Sequence, residues 1–304
     1  MTSVPITFER LFEPAFLAAL SRWSLPVRRV AAGGRHGERL SLEAGAGLEF
    51  RDHRPYCPGD DLRAIDWNLF LRLRRVFTRV FDEEQDLPVY LLPDVSGSMF
   101  HDGDGPPAII TALRCALALA AAGLCHHDSA ALLPFSSRLE VAFQPGGGRA
   151  RLLPFARRLA ALAAAAGGAP TSLGPSLTTA ARMNLRRGLL VVISDFFDPG
   201  GAAALAAALR PLRHRVLLVQ VTRPADAAPA VTGDVRLTDC ETGDAADLTV
   251  TPGVLARYRA AYLRFNDELA AVARARRAGL LRVDAGAALL PQLARLLGPG
   301  GITP

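Results

Sequence analysis

The sequence predicts an α/β fold: a doubly wound, mostly parallel sheet flanked by helices, with an N-terminal turn-rich extension packed on it. Three observations carry this. The segments "LPVYLLPD" at 87–94, "LLVVISDFFD" at 189–198 and "RVLLVQV" at 215–221 are apolar without polar alternation, as strands covered on both faces must be. Stretches of helical length separate them, so strand and helix alternate from residue 87 onward. Two of these strands run into an aspartate, Asp94 and Asp195, at the end where doubly wound sheets gather ligands.

Taken in order, residues 7–22 read as a short amphipathic helix. Residues 25–86 are rich in turn signals, among them "AAGGRHGE", "EAGAGLEF" and "YCPGDDLRAIDW", with Val76, Thr78 and Val80 alternating as a strand does. After the strand at 87–94, "PPAIITALRCALALAAAGL" is a helix with proline in its first turn. "SAALLPFSS" and "RLEVAFQP" read as two strands across a short turn, and "RARLLPFARRLAALAAAAGG" as a helix stopped by glycine. "LGPSLTTAARMNLRRG" and "GAAALAAALRPL" are the helices on either side of the strand at 189–198. "DVRLTDCETGDAADLTV" is a hairpin turning at Glu241-Thr242-Gly243-Asp244. In the long helix that follows, Leu255, Tyr258, Tyr262, Phe265, Leu269 and Val272 form one apolar stripe, the face expected on the sheet. "LLRVDAG" is a last strand and "ALLPQLARLLG" a closing helix. The expected division is an N-terminal helix and extension over 1–86 and a sheet domain over 87–304.

Composition narrows the function. The chain has 304 residues, of which 50% are hydrophobic and 21% charged, enough to bury a core and too apolar for disorder. Glu9, Arg10 and Glu13 interrupt any secretory signal, and the longest apolar run, "CALALAAAGLC", is too short for a bilayer, so a cytoplasmic protein without membrane insertion is expected. The formal charge is +6 with every basic residue an arginine. Absence of lysine excludes a Walker A loop, a Schiff base and a lysine general base. Residues 1–86 hold 13 Arg against 13 Asp and Glu, and the excess elsewhere lies at helical spacing, so no nucleic-acid partner is expected. Cys57, Cys115, Cys125 and Cys240 lack paired spacing and read as reduced thiols. Neighbours in "CHHD", 125–128, point apart on a helix end, which disfavours a zinc site there.

The chemistry concentrates in three loops. Asp94 closes a strand and is followed by Ser96 and Ser98, with Gly97 between them to tighten the turn and the alternation aiming both hydroxyls one way. Thr171 lies in "GGAPTSL" ahead of a helix, and Asp195 ends a buried strand. Two carboxylates and three hydroxyls suit a hard cation, Mg²⁺ or Mn²⁺. Neutral hydroxyls quench little of its charge, leaving it able to take an outside carboxylate. As loop residues Ser96 and Ser98 are expected to be exposed and to contribute little to the core.

At these residues the sequence resembles the von Willebrand factor A-like domain with its metal-ion-dependent adhesion site, whose pattern is Asp-x-Ser-x-Ser, a distant Thr and a distant Asp. Asp94, Ser96, Ser98, Thr171 and Asp195 match it in order. Upstream, "YCPGDDLRAIDW" places Tyr56, Gly59, Asp60, Arg63, Ile65, Asp66 and Trp67 on the signature of the bacterial domain-of-unknown-function family 58, which the chain resembles from about residue 28 to near its C-terminus. The resemblance implies metal bound by the five adhesion-site residues and an adaptor role beside a MoxR-type AAA+ ATPase. A client protein would supply an acidic side chain to the metal. Pro93 is less usual before the first aspartate, since it removes a backbone donor. The aspartate-rich run from Tyr56 to Trp67 allows a second acidic site, but turn formation, pairing with arginines and packing of Trp67 on the core account for it more simply. The alternative function is a Mg²⁺-dependent hydrolase using Asp94 or Ser96, with His101 or His214 as base.

Overall fold

The computed structural model describes residues 6–22, 44–45, 49–82, 87–101, 105–125, 128–165 and 169–297. The "AAGGRHGE" stretch and the two histidines of "CHHD" lie outside them. The chain divides into two compact units: Met1–Gly34 with Leu87–Pro304, and Arg35–Asp86.

The smaller unit is more regular than its turn-rich sequence suggests. β1 (Ala44–Gly45), β2 (Glu49–Pro55) and β3 (Phe77–Asp82) form an antiparallel sheet in the order β1-β3-β2. A 3-10 turn at Leu62–Ala64 and a helix at Trp67–Leu73 connect β2 to β3. The aspartates of the signature run organise this connection. Asp60 accepts from the Cys57 backbone N–H (2.9 Å) and pairs with Arg54. Asp61 caps the 3-10 turn through Arg63 N (2.9 Å), and Asp66 caps the helix through Leu69 N (3.0 Å). Asp66 also meets His53 Nε2 at 3.0 Å and Arg79 Nε at 3.1 Å. Trp67 departs from expectation: it is 59% exposed, its ring edge-on to Phe70, because the helix turns it outward.

The larger unit is a mixed α/β structure with a mostly parallel central sheet flanked by helices. Its strands are β4 (Val89–Pro93), β5 (Ser129–Leu132), β6 (Phe143–Gly147), β7 (Leu189–Ser194), β8 (Arg215–Thr222) and β11 (Gly279–Asp284), in the order β11-β8-β7-β4-β5-β6. All neighbours are parallel except β5 and β6. The period-two rule is visible in the cores. Val89 and Leu91 of β4, with Leu189, Val191 and Ile193 of β7, join one cluster; Tyr90, Leu92, Leu190 and Val192 join the other. Helices Ala108–Cys125 and Leu152–Ala164 supply the first cluster, and helices Leu173–Arg182 and Gly201–Leu209 the second. The chain leaves β4 toward β5 and returns on its other side as β7, so the strand order reverses beside β4. β9 (Gly233–Thr238) and β10 (Ala245–Val250) form a separate antiparallel hairpin.

Two expectations need correction. The division at residue 86 does not hold at the N-terminus, because helices Phe8–Leu11 and Pro14–Arg22 group with the sheet. Leu11 and Phe12 are buried in the first cluster, and Arg114 holds the Leu11 carbonyl (2.6 Å) and the Glu13 carboxylate (2.7 Å). Second, of the stripe on the long helix Pro252–Ala275 only Leu269 is fully buried; Leu255, Tyr262, Phe265 and Val272 are partly covered and Tyr258 is exposed. Tyr258 is 41% exposed and donates its hydroxyl to the Asp226 carbonyl (2.7 Å).

Candidate metal centre

The site begins where β4 runs out. Asp94 N–H donates to the Ile193 carbonyl (2.8 Å) on one side, and Val95 N–H to the Phe135 carbonyl (2.8 Å) on the other. The loop is therefore pinned to both neighbouring strands, and Pro93, whose carbonyl accepts from Phe135 N (3.1 Å), does not disturb it. Asp94 Oδ1 accepts from Ser96 N (2.9 Å), a tight Asx turn, and Oδ2 accepts from the Ser194 hydroxyl (2.7 Å). The alternation does aim the two hydroxyls together: Ser96 Oγ and Ser98 Oγ are 3.2 Å apart. Gly97 N–H reaches the Ala169 carbonyl (3.0 Å), tying this loop to the one that carries Thr171.

Asp195 follows β7 directly. Its Oδ1 accepts from Phe197 N (3.0 Å), while its Oδ2 is buried without a hydrogen-bond partner. Phe196, buried behind it, holds a left-handed backbone with φ of 64°, uncommon for a bulky residue. Two bonds secure that turn: Phe196 N–H to Ser194 Oγ (2.9 Å) and Asp198 N–H to the Phe196 carbonyl (2.8 Å). Asp198 Oδ2 in turn accepts from Leu173 N (2.8 Å), joining the end of β7 to the helix after Thr171. Thr171 donates both its N–H (2.8 Å) and its hydroxyl (2.7 Å) to Glu241, at the tip of the β9–β10 hairpin.

The expectation of exposure is overturned for Ser96. Asp94 and Ser96 are 0% exposed, Asp195 2% and Thr171 7%; only Ser98 is half-buried. The reason is that flanking loops bond to one another across the strand ends rather than opening into solvent. Burial raises the Asp94 carboxyl to about 7, with the charge of Asp195 adding to the shift and bonds from Ser194 and Ser96 opposing it. Burial likewise raises Asp195, and Phe197 N–H and the charge of Arg223 only partly offset it. Two buried carboxylates without an ion-pair partner are costly. An orphaned, buried Asp195 oxygen, and two hydroxyls that converge in the loop after Asp94, are oxygen donors that a hard cation satisfies, so the residues present fit Mg²⁺ or Mn²⁺. Among the described residues no three His, Cys, Asp or Glu side chains form a ready-made centre, so a cation here depends on the Ser and Thr hydroxyls.

Of the two histidines considered as bases, His214 packs edge-on against Tyr90 (5.2 Å), whose hydroxyl donates to the Arg186 carbonyl before β7, at the opposite end of the strands. His101 follows the short helix Gly97–Phe100, where its carbonyl accepts from Arg223 Nη1 (3.2 Å). Sequence reasoning missed three residues. Ser194 and Asp198 carried no signal beyond their place near a strand end. Glu241 had one: it stands in an acid-rich turn, "DCETGD".

Comparisons with known proteins follow the signature run. The family model described as "Protein of unknown function DUF58" matches residues 52–268. Uncharacterized proteins of Mycobacterium tuberculosis and Mycobacterium bovis are each 29% identical over 291 residues, covering 90% of this chain and 83% of the relative. Among solved structures, the chain is similar to the conserved hypothetical protein BatB from Bacteroides thetaiotaomicron (17% identity, TM-score 0.39, 68% of this chain and 94% of that one). It is also similar to an aerotolerance-related membrane protein from Bacteroides fragilis (16% identity, TM-score 0.42, 68% and 96%) and to an uncharacterized membrane spanning protein from Vibrio fischeri (13%, 0.27, 63% and 97%). At these TM-scores the likenesses carry no argument about the fold. The expected cytoplasmic location is not borne out: two of these similar proteins are described as membrane proteins. Among the described residues, no helix is long and apolar enough to cross a membrane. The signature at Tyr56–Trp67 and the family match across most of the sheet unit lead to one conclusion: the chain belongs to the DUF58 family of proteins of unknown function.

Proposed function

We propose that this protein is a Mg²⁺-dependent interaction module with a von Willebrand factor A-like fold, acting as an adaptor beside a MoxR-type AAA+ ATPase. Asp94, Ser96, Ser98, Thr171 and Asp195 hold the cation, and an acidic side chain of a client protein completes its coordination. The observation that carries this reading is the uncompensated pair of buried carboxylates, Asp94 and Asp195, beside the touching Ser96 and Ser98 hydroxyls. When bound, the cation would supply positive charge for an outside carboxylate to meet. The chain's own residues orient that position: Ser194 fixes Asp94, and the Gly97–Ala169 bond holds the hydroxyl loop against the Thr171 loop. Against the hydrolase alternative stands the location of His214, at the far end of the strands.

A pull-down tests the reading. Wild-type protein with Mg²⁺ is expected to capture the ATPase, and capture is expected to fail in EDTA and in the Ser96→Ala, Ser98→Ala double variant. Capture that is indifferent to both changes sinks the metal-bridged model.

A further inference from the structure

The β9–β10 hairpin is amphipathic, and its apolar face is open. The register sets Val235 opposite Leu248 and Leu237 opposite Ala246 on one face, with Asp234, Arg236, Asp247 and Thr249 on the other. Yet Leu237 is 50% exposed and Leu248 39%. A two-stranded ribbon of this kind is marginal by itself in water. Its outer edges are open too: among the described residues neither β9 nor β10 pairs with a further strand. The phase of the ladder fixes what the β9 edge offers. Asp239 N–H donates to the Asp244 carbonyl (2.7 Å), and these two face each other one step beyond Thr238 and Ala245. Bonded and non-bonded pairs alternate along an antiparallel ladder. Val235 and Leu237 therefore turn their N–H and C=O toward β10, and Asp234, Arg236 and Thr238 turn theirs outward. This edge holds no proline and no run of like charge, the devices that keep edge strands apart. It carries an exposed acid and an exposed base at alternate positions instead. Thr249 occupies Oδ1 of Asp234 (2.6 Å) and leaves Oδ2 for another donor.

We infer that the outer edge of β9 is a self-association surface: two copies of this chain pair their β9 strands antiparallel about Val235, joining the hairpins into one sheet of order β10-β9-β9-β10. In that register Asp234 of one copy stands opposite Arg236 of the other. The two-fold axis repeats the pair, so both crossings are complementary in charge. Both residues turn their backbone groups outward, so each pair also exchanges N–H and C=O. Val235 meets its counterpart on the apolar face and Leu237 lies opposite Gly233, which carries the apolar strip across the two copies. The registers of the same phase centred one residue to either side set Arg236 on Arg236 or Asp234 on Asp234, and both are repulsive. An unrelated strand would also satisfy the backbone groups. The acid-then-base order of β9, which complements itself when reversed, selects a second copy. No metal takes part in this contact, so it stands apart from the function proposed above.

Sedimentation velocity of the full chain over a series of concentrations reads the contact. Wild type is expected to move from monomer toward dimer as concentration rises. Arg236→Asp sets like charges at both crossings, and so does Asp234→Arg. Each variant alone is expected to self-associate about tenfold more weakly than wild type. Arg236→Asp leaves the Thr249–Asp234 bond in place, so at least one variant keeps the hairpin's own contacts. Mixed in equal amounts, the two variants present acids against bases at both crossings, and dimer is expected to return. The exchanged double variant, Asp234→Arg with Arg236→Asp, is expected to dimerise as wild type does. Wild type that stays monomeric at every concentration overturns the inference. So does a dimer that Arg236→Asp does not weaken, which places the contact on another surface. So does failure of both the mixture and the double variant to recover dimer while circular dichroism shows them folded.

Discussion

Asp94→Asn tests the electrostatics of the site without reference to any partner. In the metal-free protein the Asp94 carboxyl is 0% exposed and titrates at about 7 rather than 3.8. A raised carboxyl in the folded state makes stability fall as pH rises, because the folded protein keeps a proton that the unfolded chain has released. The loss begins near the unfolded value and is complete above about 7. At 1.36 kcal/mol per unit, the penalty is ~1.5 kcal/mol at pH 5 and ~4 kcal/mol at pH 8, an upper bound because water reaching the site lowers it. Asparagine carries no charge at either pH and can keep the Ser96 N–H bond through its side-chain carbonyl. Guanidinium unfolding in EDTA should therefore show the variant gaining ~2–3 kcal/mol on wild type between pH 5 and pH 8. Mg²⁺ should restore wild type at pH 8 and leave the variant unmoved. A variant advantage that is the same at both pH values, or a variant less stable at pH 8 than at pH 5 relative to wild type, refutes the argument that burial of this charge opposes folding.

The parts legible in the sequence were those fixed by local pattern. Unbroken apolar runs gave β4, β7 and β8, because a strand covered on both faces cannot afford polar alternation. The Asp94–Ser98 geometry was legible as well: alternate residues after a strand converge, and Ser96 and Ser98 do. What was not legible depends on contacts between distant segments. Apolar content alone could not tell that Phe12 belongs to the sheet core, since that follows from Arg114 gripping a carbonyl more than a hundred residues away. The stripe from Leu255 to Val272 is periodic, but periodicity does not report which of its residues other segments cover. Burial of the site was missed for the same reason. Each loop looks exposed by itself, and bonds such as Gly97 to Ala169 and Leu173 to Asp198 exist only once the strands are side by side. Glu241 is the extreme case, a turn residue whose partner, Thr171, lies seventy positions earlier.

Two further outcomes follow from the packing. Phe12→Ala removes a ring that is 1% exposed between Phe8 and Phe16, so it should cost ~3–5 kcal/mol in chemical denaturation. An unfolding midpoint equal to wild type would show that the N-terminal helices are not part of the sheet core. The other concerns Asp66, which gathers His53, Arg79 and the Leu69 N–H around one carboxylate. These bonds, His53 first, lower its carboxyl to about 2 from 3.8. A depressed carboxyl contributes stability above its unfolded value and loses it as pH falls through the folded one. Structure in residues 49–82 should therefore weaken between about pH 4 and pH 2, where Asp94, already protonated, no longer changes. Amide exchange across β2 and β3 should rise in that window in wild type. In Asp66→Asn it should be raised already at pH 6 and change less on acidification, because the amide keeps the cap toward Leu69 N–H but loses the charge that holds Arg79. Equal acid sensitivity in the two proteins would locate the pairing energy of this unit elsewhere and return the shape of the connection to its turn alone.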